Sequence, residues 1–453
     1  MSASGLAYLL LNNNQATDNQ STPVAANPAP TSATSATTKT LNNGTTANAS
    51  PLIIWGIFDR SDSLTPLFDQ WSIETGIKVS YIEQEPSIFE PAVFNELAEL
   101  DNGPDLLILP DRLAKRHRQQ LVAIPENSLA QAYGLVPTKR LFRKVAPTPT
   151  NAQILDEYFL PFFNQTLAKQ SEVYALPLAA DNLGLFVNLD RLTKLGQSQP
   201  PLYWDEIQSL AQKHPDQKII NLGGTAGVPQ ATDLLYLLMA QNGTELFSQD
   251  LRTALFNQAT VKANGELVDS GLEALGFWLS FNYQPPADRS AWQEWLSGEL
   301  PIYVDYSYRI EELKQQNPKF RYTTASLPQI RDSARPLNLG QGMAMGITRQ
   351  SQNKATALRL ATWLTTRANA ARYARSTERL PSQSSLVLDP TIRQPINQPF
   401  LNDLGITISL NTGREAELSK VTEQALELWR ATGNLTQTLD QLTTLATAAL
   451  RQL

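Results

Sequence analysis

The sequence predicts an α/β protein built as two lobes, and three observations carry that expectation. Residues 52–79, LIIWGIFDRSDSLTPLFDQWSIETGIKV, place a short apolar run ahead of a helical repeat and a second β-branched run. The same alternation of strand-like and helix-like segments returns along the chain, enough for two such lobes. The 453 residues also exceed one ordinary domain, since domains average roughly 150 residues.

Leu52, Ile53, Ile54 and Trp55 form the first buried strand. Leu64, Leu67, Phe68 and Trp71 recur at helical spacing, and Thr75-Gly76 ends that helix. Positions 77–82 are β-branched and aromatic enough for a second strand. A β-α-β opening favours a parallel sheet. Asn102-Gly103-Pro104-Asp105 turns into the strand Leu106-Leu107-Ile108-Leu109, which stops at Pro110-Asp111. Strands are expected at 173–178 and 183–188, and a helix from the Pro200-Pro201 turn through Ala211. A strand at 218–222 precedes helices at 231–241, ended by Asn242-Gly243, and at 271–281. Then come a helix at 292–297, a strand at 301–304 and a helix at 308–316. Gly340-Gln341-Gly342 leads into an apolar strand at 343–347, followed by a helix at 354–366. Two last helices, split at Gly433-Asn434, fill 419–453. The chain has no internal repeat at a period of 20–50 residues.

Composition narrows the function. Hydrophobic residues make up 42% of the chain, enough for sizeable cores. The 37 basic and 43 acidic residues are interspersed and sum to −6. With no basic stripe, nucleic acid is not an expected partner. Lack of cysteine excludes disulfides, thiol catalysis, Cys-ligated zinc and a lipid-modified cysteine anchor. The two histidines, His117 in a basic run and His214 before Pro215, are expected on the surface. Tyr303 is out of step with Tyr306 and Tyr308 on a strand, which disfavours a tyrosine-built iron site; no metal or cofactor is expected. After residue 50 no run reaches the roughly 18 apolar residues of a membrane span. Residues 5–11, GLAYLLL, read as the remnant of a truncated anchor, and 12–50, almost all Asn, Thr, Ala, Ser, Pro, Gln and Gly, as a disordered stalk.

A series of short motifs then runs from residue 51 to the end. Leu52 to Val79 opens it, followed by Gly103-Pro104-Asp105-Leu106-Leu107-Ile108 and Val173-Tyr174-Ala175-Leu176-Pro177. Next come Leu185-Phe186-Val187-Asn188-Leu189-Asp190-Arg191-Leu192, Pro201-Leu202-Tyr203-Trp204-Asp205-Glu206-Ile207 and Trp295-Leu296-Ser297-Gly298-Glu299. Gly340 to Ile347, Asn353-Lys354 to Leu364 and Leu380-Pro381-Ser382 close it. In order and spacing this series resembles the family 1 extracellular solute-binding proteins of ABC importers, which include maltose- and oligosaccharide-binding receptors. It departs from them at Tyr174-Ala175, where the family has a glycine after the tyrosine, and at Gly298-Glu299-Leu300-Pro301-Ile302.

The resemblance implies a type II periplasmic-binding-protein-like fold, with mainly parallel sheets flanked by helices and a hinge between lobes. Lobe one would hold 51–179 plus 343–400 and lobe two 180–342 plus 401–453, with a first crossing near Ala179-Ala180-Asp181. It implies a monomeric receptor rather than an enzyme. Such a receptor closes on a sugar or oligosaccharide, feeds an ABC permease and is tethered to the outer face of the cytoplasmic membrane by its N-terminal segment.

Ligands of open α/β sheets sit beyond the carboxyl ends of the strands, which places the candidate binding residues. Trp55, Phe58, Asp59 and Arg60 follow the first strand, and Asp111 and Arg112 follow the strand at 106–109. Asp181 and Asn182 lie at the hinge. Thr232, Asp233 and Tyr236 start a helix, Asp305, Tyr306 and Tyr308 follow a strand, and Gly340 and Gln341 mark the recrossing. Aromatic faces suit the C–H face of a pyranose, and charged groups bond its hydroxyls strongly. Other duties are open to several of these residues: Trp55 as core, Asp59 and Asp233 as helix N-caps, Arg60 as partner of Asp59 or Asp62, Tyr308 as packing under its helix. Two other functions remain open. A glycosidase would draw its carboxylate pair from Asp59, Asp111, Asp233 and Asp305. A surface-anchored protein of the same fold would recognise a polymer or a protein instead of serving a permease.

Overall fold

The computed structural model describes residues 51–57, 59–85, 103–137, 147–261, 265–333, 335–410 and 412–451. Phe58 and residues 1–50, where an anchor remnant and a stalk are expected, lie outside these residues. The opening strand β1 (Leu52–Gly56) alternates buried and half-buried positions. It is followed by α1 (Ser61–Thr75), β2 (Val79–Glu83) and β3 (Leu106–Pro110). Both β2 and β3 pair with β1 in parallel. Helix α1 buries Leu64, Leu67, Phe68 and Trp71, the stripe expected from their spacing. Gly76 ends it at φ +74°, donating its N–H to the Ser72 carbonyl. That left-handed conformation costs glycine little because no Cβ meets the following carbonyl. Helix α2 (Asp111–Arg116) leaves β3 with no intervening loop.

Residues expected as two strands form one. Strand β4 (Ala175–Asn188) runs for 14 residues, all buried. Strands β5 (Ile302–Tyr306) and β6 (Tyr322–Ala325) pair with its far half. Strand β7 (Asn338–Ile347) begins earlier than expected and runs antiparallel to both β4 and β3. Two short strands complete the ladder, β8 (Leu380–Pro381) on the middle of β4 and β9 (Thr407–Ile408) on the start of β7. Together they make one nine-stranded sheet, ordered β6-β4-β7-β3-β1-β2, with β5 and β8 on β4 and β9 on β7.

The sheet is therefore mixed, not mainly parallel. Only β1–β2, β1–β3 and β7–β9 are parallel among its described pairings. The reason is topological: the chain crosses the molecule along β4 and returns along β7, so these strands oppose each other and most of their neighbours. The strand expected at 218–222 shrinks to a single bridge between Ile220 and Ile302.

Helices cover both halves of the sheet. Helix α3 (Ala231–Gln241) is buried along most of its length, and α4 (Arg309–Gln316) follows β5. Helix α5 (Arg367–Thr377) packs on α1; α6 (Glu415–Thr432) and α7 (Leu435–Arg451) pack together, α6 also meeting α3. His117 corrects the surface expectation: it is only 5% exposed. It ends α2, which lies against β7 and the helix at 162–167. His214 is half-buried, with Nε2 3.1 Å from the Leu195 carbonyl. No helix among the described residues is long and apolar enough to cross a membrane.

Candidate functional site: a cleft at the strand ends

Strand ends and strand middles converge on one cavity of about 490 Å³. The loop after β1 supplies Arg60, the end of β3 Pro110, the start of α2 Arg112, and the middle of β4 Asp181. The opposite wall is Tyr308 and α4, with Glu311, Glu312 and Gln315. These four stand at i, i+3, i+4 and i+7, so they share one helix face. Gln341 to Met343, from the middle of β7, and Arg379, before β8, complete the lining.

Arg379 is the best-anchored charge here. Its Nε lies 3.3 Å from Asp59 Oδ1 and its Nη1 3.2 Å from Asp181 Oδ2. Asp59 also accepts the Tyr373 hydroxyl at 2.5 Å, and Asp181 accepts the Ser307 hydroxyl at 2.6 Å. All three charged groups are at most 5% exposed. Burial alone would push the guanidinium down, but Asp59 and Asp181 reverse this and hold it above its ordinary value. Burial pushes the Asp181 carboxyl up, against the pull of Arg379 and Ser307.

A second cation, Arg309, donates to Asp305 at 2.9 Å and Glu312 at 2.6 Å. Arg112 donates to the Gln341 side-chain carbonyl. Among the described residues it has no ion pair within 4.0 Å; burial would lower its pKa, yet Glu415, Asp233, Tyr306 and Asp111 leave it raised. Across from it, Asp233 accepts the Tyr306 hydroxyl at 2.7 Å. Tyr306 and Tyr308 stack with centroids 6.3 Å apart.

Of the residues proposed from sequence, Arg60, Arg112, Asp181, Tyr308 and Gln341 line this cavity. Asp59 sits behind it, tied to Arg379; it caps no helix, since Arg60 is the N-cap residue of α1. Arg60 pairs with Asp62 at 2.8 Å. Trp55 packs against the core. Asp111 is fully buried, its Oδ1 accepting the backbone N–H groups of Arg112 and Gly342. Asn182 bonds the Phe400 carbonyl and Thr407 Oγ1. Thr232 is buried at the start of α3, and Tyr236 packs against Phe256 in the core with its ring tilted 38°. Asp305 is buried under Tyr303, Tyr306 and Arg309. Gly340 faces Thr407, where no Cβ would fit. The carboxylates Asp59, Asp111, Asp233 and Asp305 are thus each engaged by protein groups, and none lines the cavity.

Sequence reasoning missed Arg379, Arg309, Glu311, Glu312, Gln315 and Met343. Two signals were available. The polar stripe at 308, 311, 312 and 315 stands on a helix that leaves a buried strand, and a lone arginine directly precedes the buried pair Leu380-Pro381.

A two-lobed sheet crossed twice by the chain, with a polar cavity at the crossing, defines a cleft-binding protein. The chain belongs to the bacterial extracellular solute-binding protein family, whose model matches residues 74–398. Over 188 residues it is 24% identical to a chain of Brucella abortus (strain 2308) named as a binding protein, a match spanning 40% of this chain and 44% of that one. The figures are the same for a binding protein of Brucella suis biovar 1 (strain 1330), so the match covers less than half the length of these curated relatives. In fold the chain is similar to the cyclic alpha-maltosyl-1,6-maltose binding protein of Arthrobacter globiformis, with a TM-score of 0.71, 18% identity, and 89% of this chain and 100% of that one covered. For the sugar-binding protein MalE of Xanthomonas citri the TM-score is 0.68 at 17% identity, over 88% and 97% of the two chains.

Proposed function

We propose that this chain is the extracytoplasmic receptor of an ABC importer and closes on a sugar or oligosaccharide in the cleft. The observation that carries the reading is a cavity lined mainly by charged and polar residues and walled by both halves of a sheet that, among the described strands, only β4 and β7 span. Its volume falls within the roughly 300–1,000 Å³ of small-molecule sites. Family membership and the sugar ligands named for the neighbours of similar fold support the same class.

On this reading 51–179 with 343–400 moves as one lobe and 180–342 with 401–453 as the other. A monomer suffices, tethered through 1–50 and read by a membrane permease. Solute hydroxyls donate to Asp181 and Glu311 and accept from Arg112, while Tyr308 offers ring surface. Such charge-assisted bonds are roughly twice as strong as neutral ones. Bonds made to both walls at once favour the closed form and shift the hinge equilibrium toward it. The role is binding, not turnover.

Titration calorimetry and small-angle scattering with maltose, trehalose, sucrose and maltotriose test it. The expected result is heat and a smaller radius of gyration for at least one sugar. At a hundred times Kd the bound sugar adds about 2.7 kcal/mol to stability. Absence of heat, compaction and stabilisation throughout the panel would overturn the sugar reading.

A further inference from the structure

The triad Asp59–Arg379–Asp181 is buried, sets two carboxyl groups against one guanidinium, and joins segments far apart in sequence: the loop after β1, the middle of β4 and the residue before β8. Asp59 and Asp181 flank the guanidinium, and only Asp181 of the two carboxylates faces the cavity. Ser307, from the turn after β5, takes up one Asp181 oxygen at 2.6 Å, and Arg379 the other at 3.2 Å. A carboxylate has about four acceptor sites, so capacity remains for a donor in the cleft.

We propose that Arg379 is the positioning residue of the cleft: it keeps Asp181 ionised and aimed into the cavity as the acceptor for solute donors, where the crossing strand passes beneath. This rests on the solute-receptor reading above. The other groups around Asp181 cannot replace Arg379. Asp59 and Glu311 are carboxylates, Ser307 and Tyr308 are neutral hydroxyls, and Gln341, its neighbour across the ladder, is a neutral amide. Arg60 and Arg309 already pair with Asp62 and with Asp305 and Glu312, and Arg112 donates to Gln341 and forms no ion pair with Asp181 within 4.0 Å. With Arg379 gone, two buried carboxylates face each other and at least one takes up a proton near neutrality.

The test needs no solute, so a negative sugar screen leaves it standing and its own failure leaves the sugar reading standing. Thermal unfolding of the full chain is followed between about pH 5 and pH 8 for wild type, R379M, R379K and R379M/D181N, where linkage turns proton uptake into a slope of Tm against pH. R379M is expected to lose Tm relative to wild type as pH rises, because the folded state then holds a proton that the unfolded chain has released. Adding D181N should remove at least half of that extra slope, and R379K, which keeps the charge, should run parallel to wild type. Should R379M not fold, D181N against wild type decides: their difference must level off within the alkaline half of this range, since an ionised Asp181 has no proton left to lose. An R379M profile parallel to wild type, a slope untouched by D181N, or a D181N difference that still grows throughout that alkaline half would each overturn the assignment.

Discussion

Asp403→Asn isolates one buried carboxyl. Asp403 is 7% exposed, and its Oδ2 accepts the Leu327 N–H at 3.0 Å and the Asn338 amide at 3.5 Å. Burial pushes its pKa up from 3.8 to about 6. The folded protein thus holds a proton in a window, about pH 4 to pH 6, where the unfolded chain has released it. The stability carried by this site is fully present below that window and is lost as pH rises through it. Two units at about 1.4 kcal/mol each come to about 3 kcal/mol. Asparagine keeps the shape and an acceptor for Leu327 but does not titrate. The variant should therefore gain on wild type by about 3 kcal/mol between pH 4 and pH 7.5. Urea unfolding read by tryptophan fluorescence at matched pH measures it. Only the difference between the two proteins is used, because the surface carboxylates titrate alike in both and cancel. A difference that stays flat across the window would refute the burial argument.

Two further expectations concern the cleft. Glu417 at the start of α6 holds Arg116 of α2 at 2.6 Å and Arg414 at 3.3 Å, so it ties helices on opposite halves of the sheet. Removing this half-buried pair in Glu417→Gln costs about 1 kcal/mol, which shifts the hinge toward the open form about fivefold. Small-angle scattering should then show a larger radius of gyration without solute, and an unchanged value would count against the tie. Gly342→Ala would place a Cβ 2.6 Å from the Ala179 carbonyl oxygen and against the Phe163 ring. Overpacking of this kind costs about 1–3 kcal/mol, to be seen as a lower urea midpoint; an unaltered midpoint would mean that the cavity floor yields freely.

The opening β-α-β unit was legible because every local rule agreed: apolar run, helical stripe, glycine stop, β-branched run. Strand β4 was read as two pieces, because the polar pair Asp181-Asn182 between them looks like a break. What keeps these polar residues inside a strand is distant in sequence: Arg379 and Ser307 for Asp181, Phe400 and Thr407 for Asn182. A local pattern has no access to partners more than a hundred residues away. The same distance hid Arg379, which meets Asp59 and Asp181 only after the chain has crossed and returned. The mixed sheet escaped for a related reason, since strand direction is set by the order of crossings and not by composition. The carboxyl-end rule did place Arg60, Arg112 and Tyr308 at the cavity, because it depends on topology that the β-α alternation already implied, whereas Asp181 and Gln341 reach it from the middles of the two crossing strands. It also gathered Tyr236, Asn182 and Gly340, whose neighbours turn out to be core or backbone.

The ladder between β4 and β7 slips between Met343, opposite Ala179, and Ala344, opposite Pro177, leaving Leu178 as an extra residue. A bulge bends its strand and tightens the local twist. It lies a few residues from Asp181 and Gln341, under the cavity floor. The protein thus has an elbow set in woven fabric rather than a loose string between two beads. Flexing it strains the ladder as a spring would, so backbone geometry helps set the resting gape of the mouth before any guest arrives.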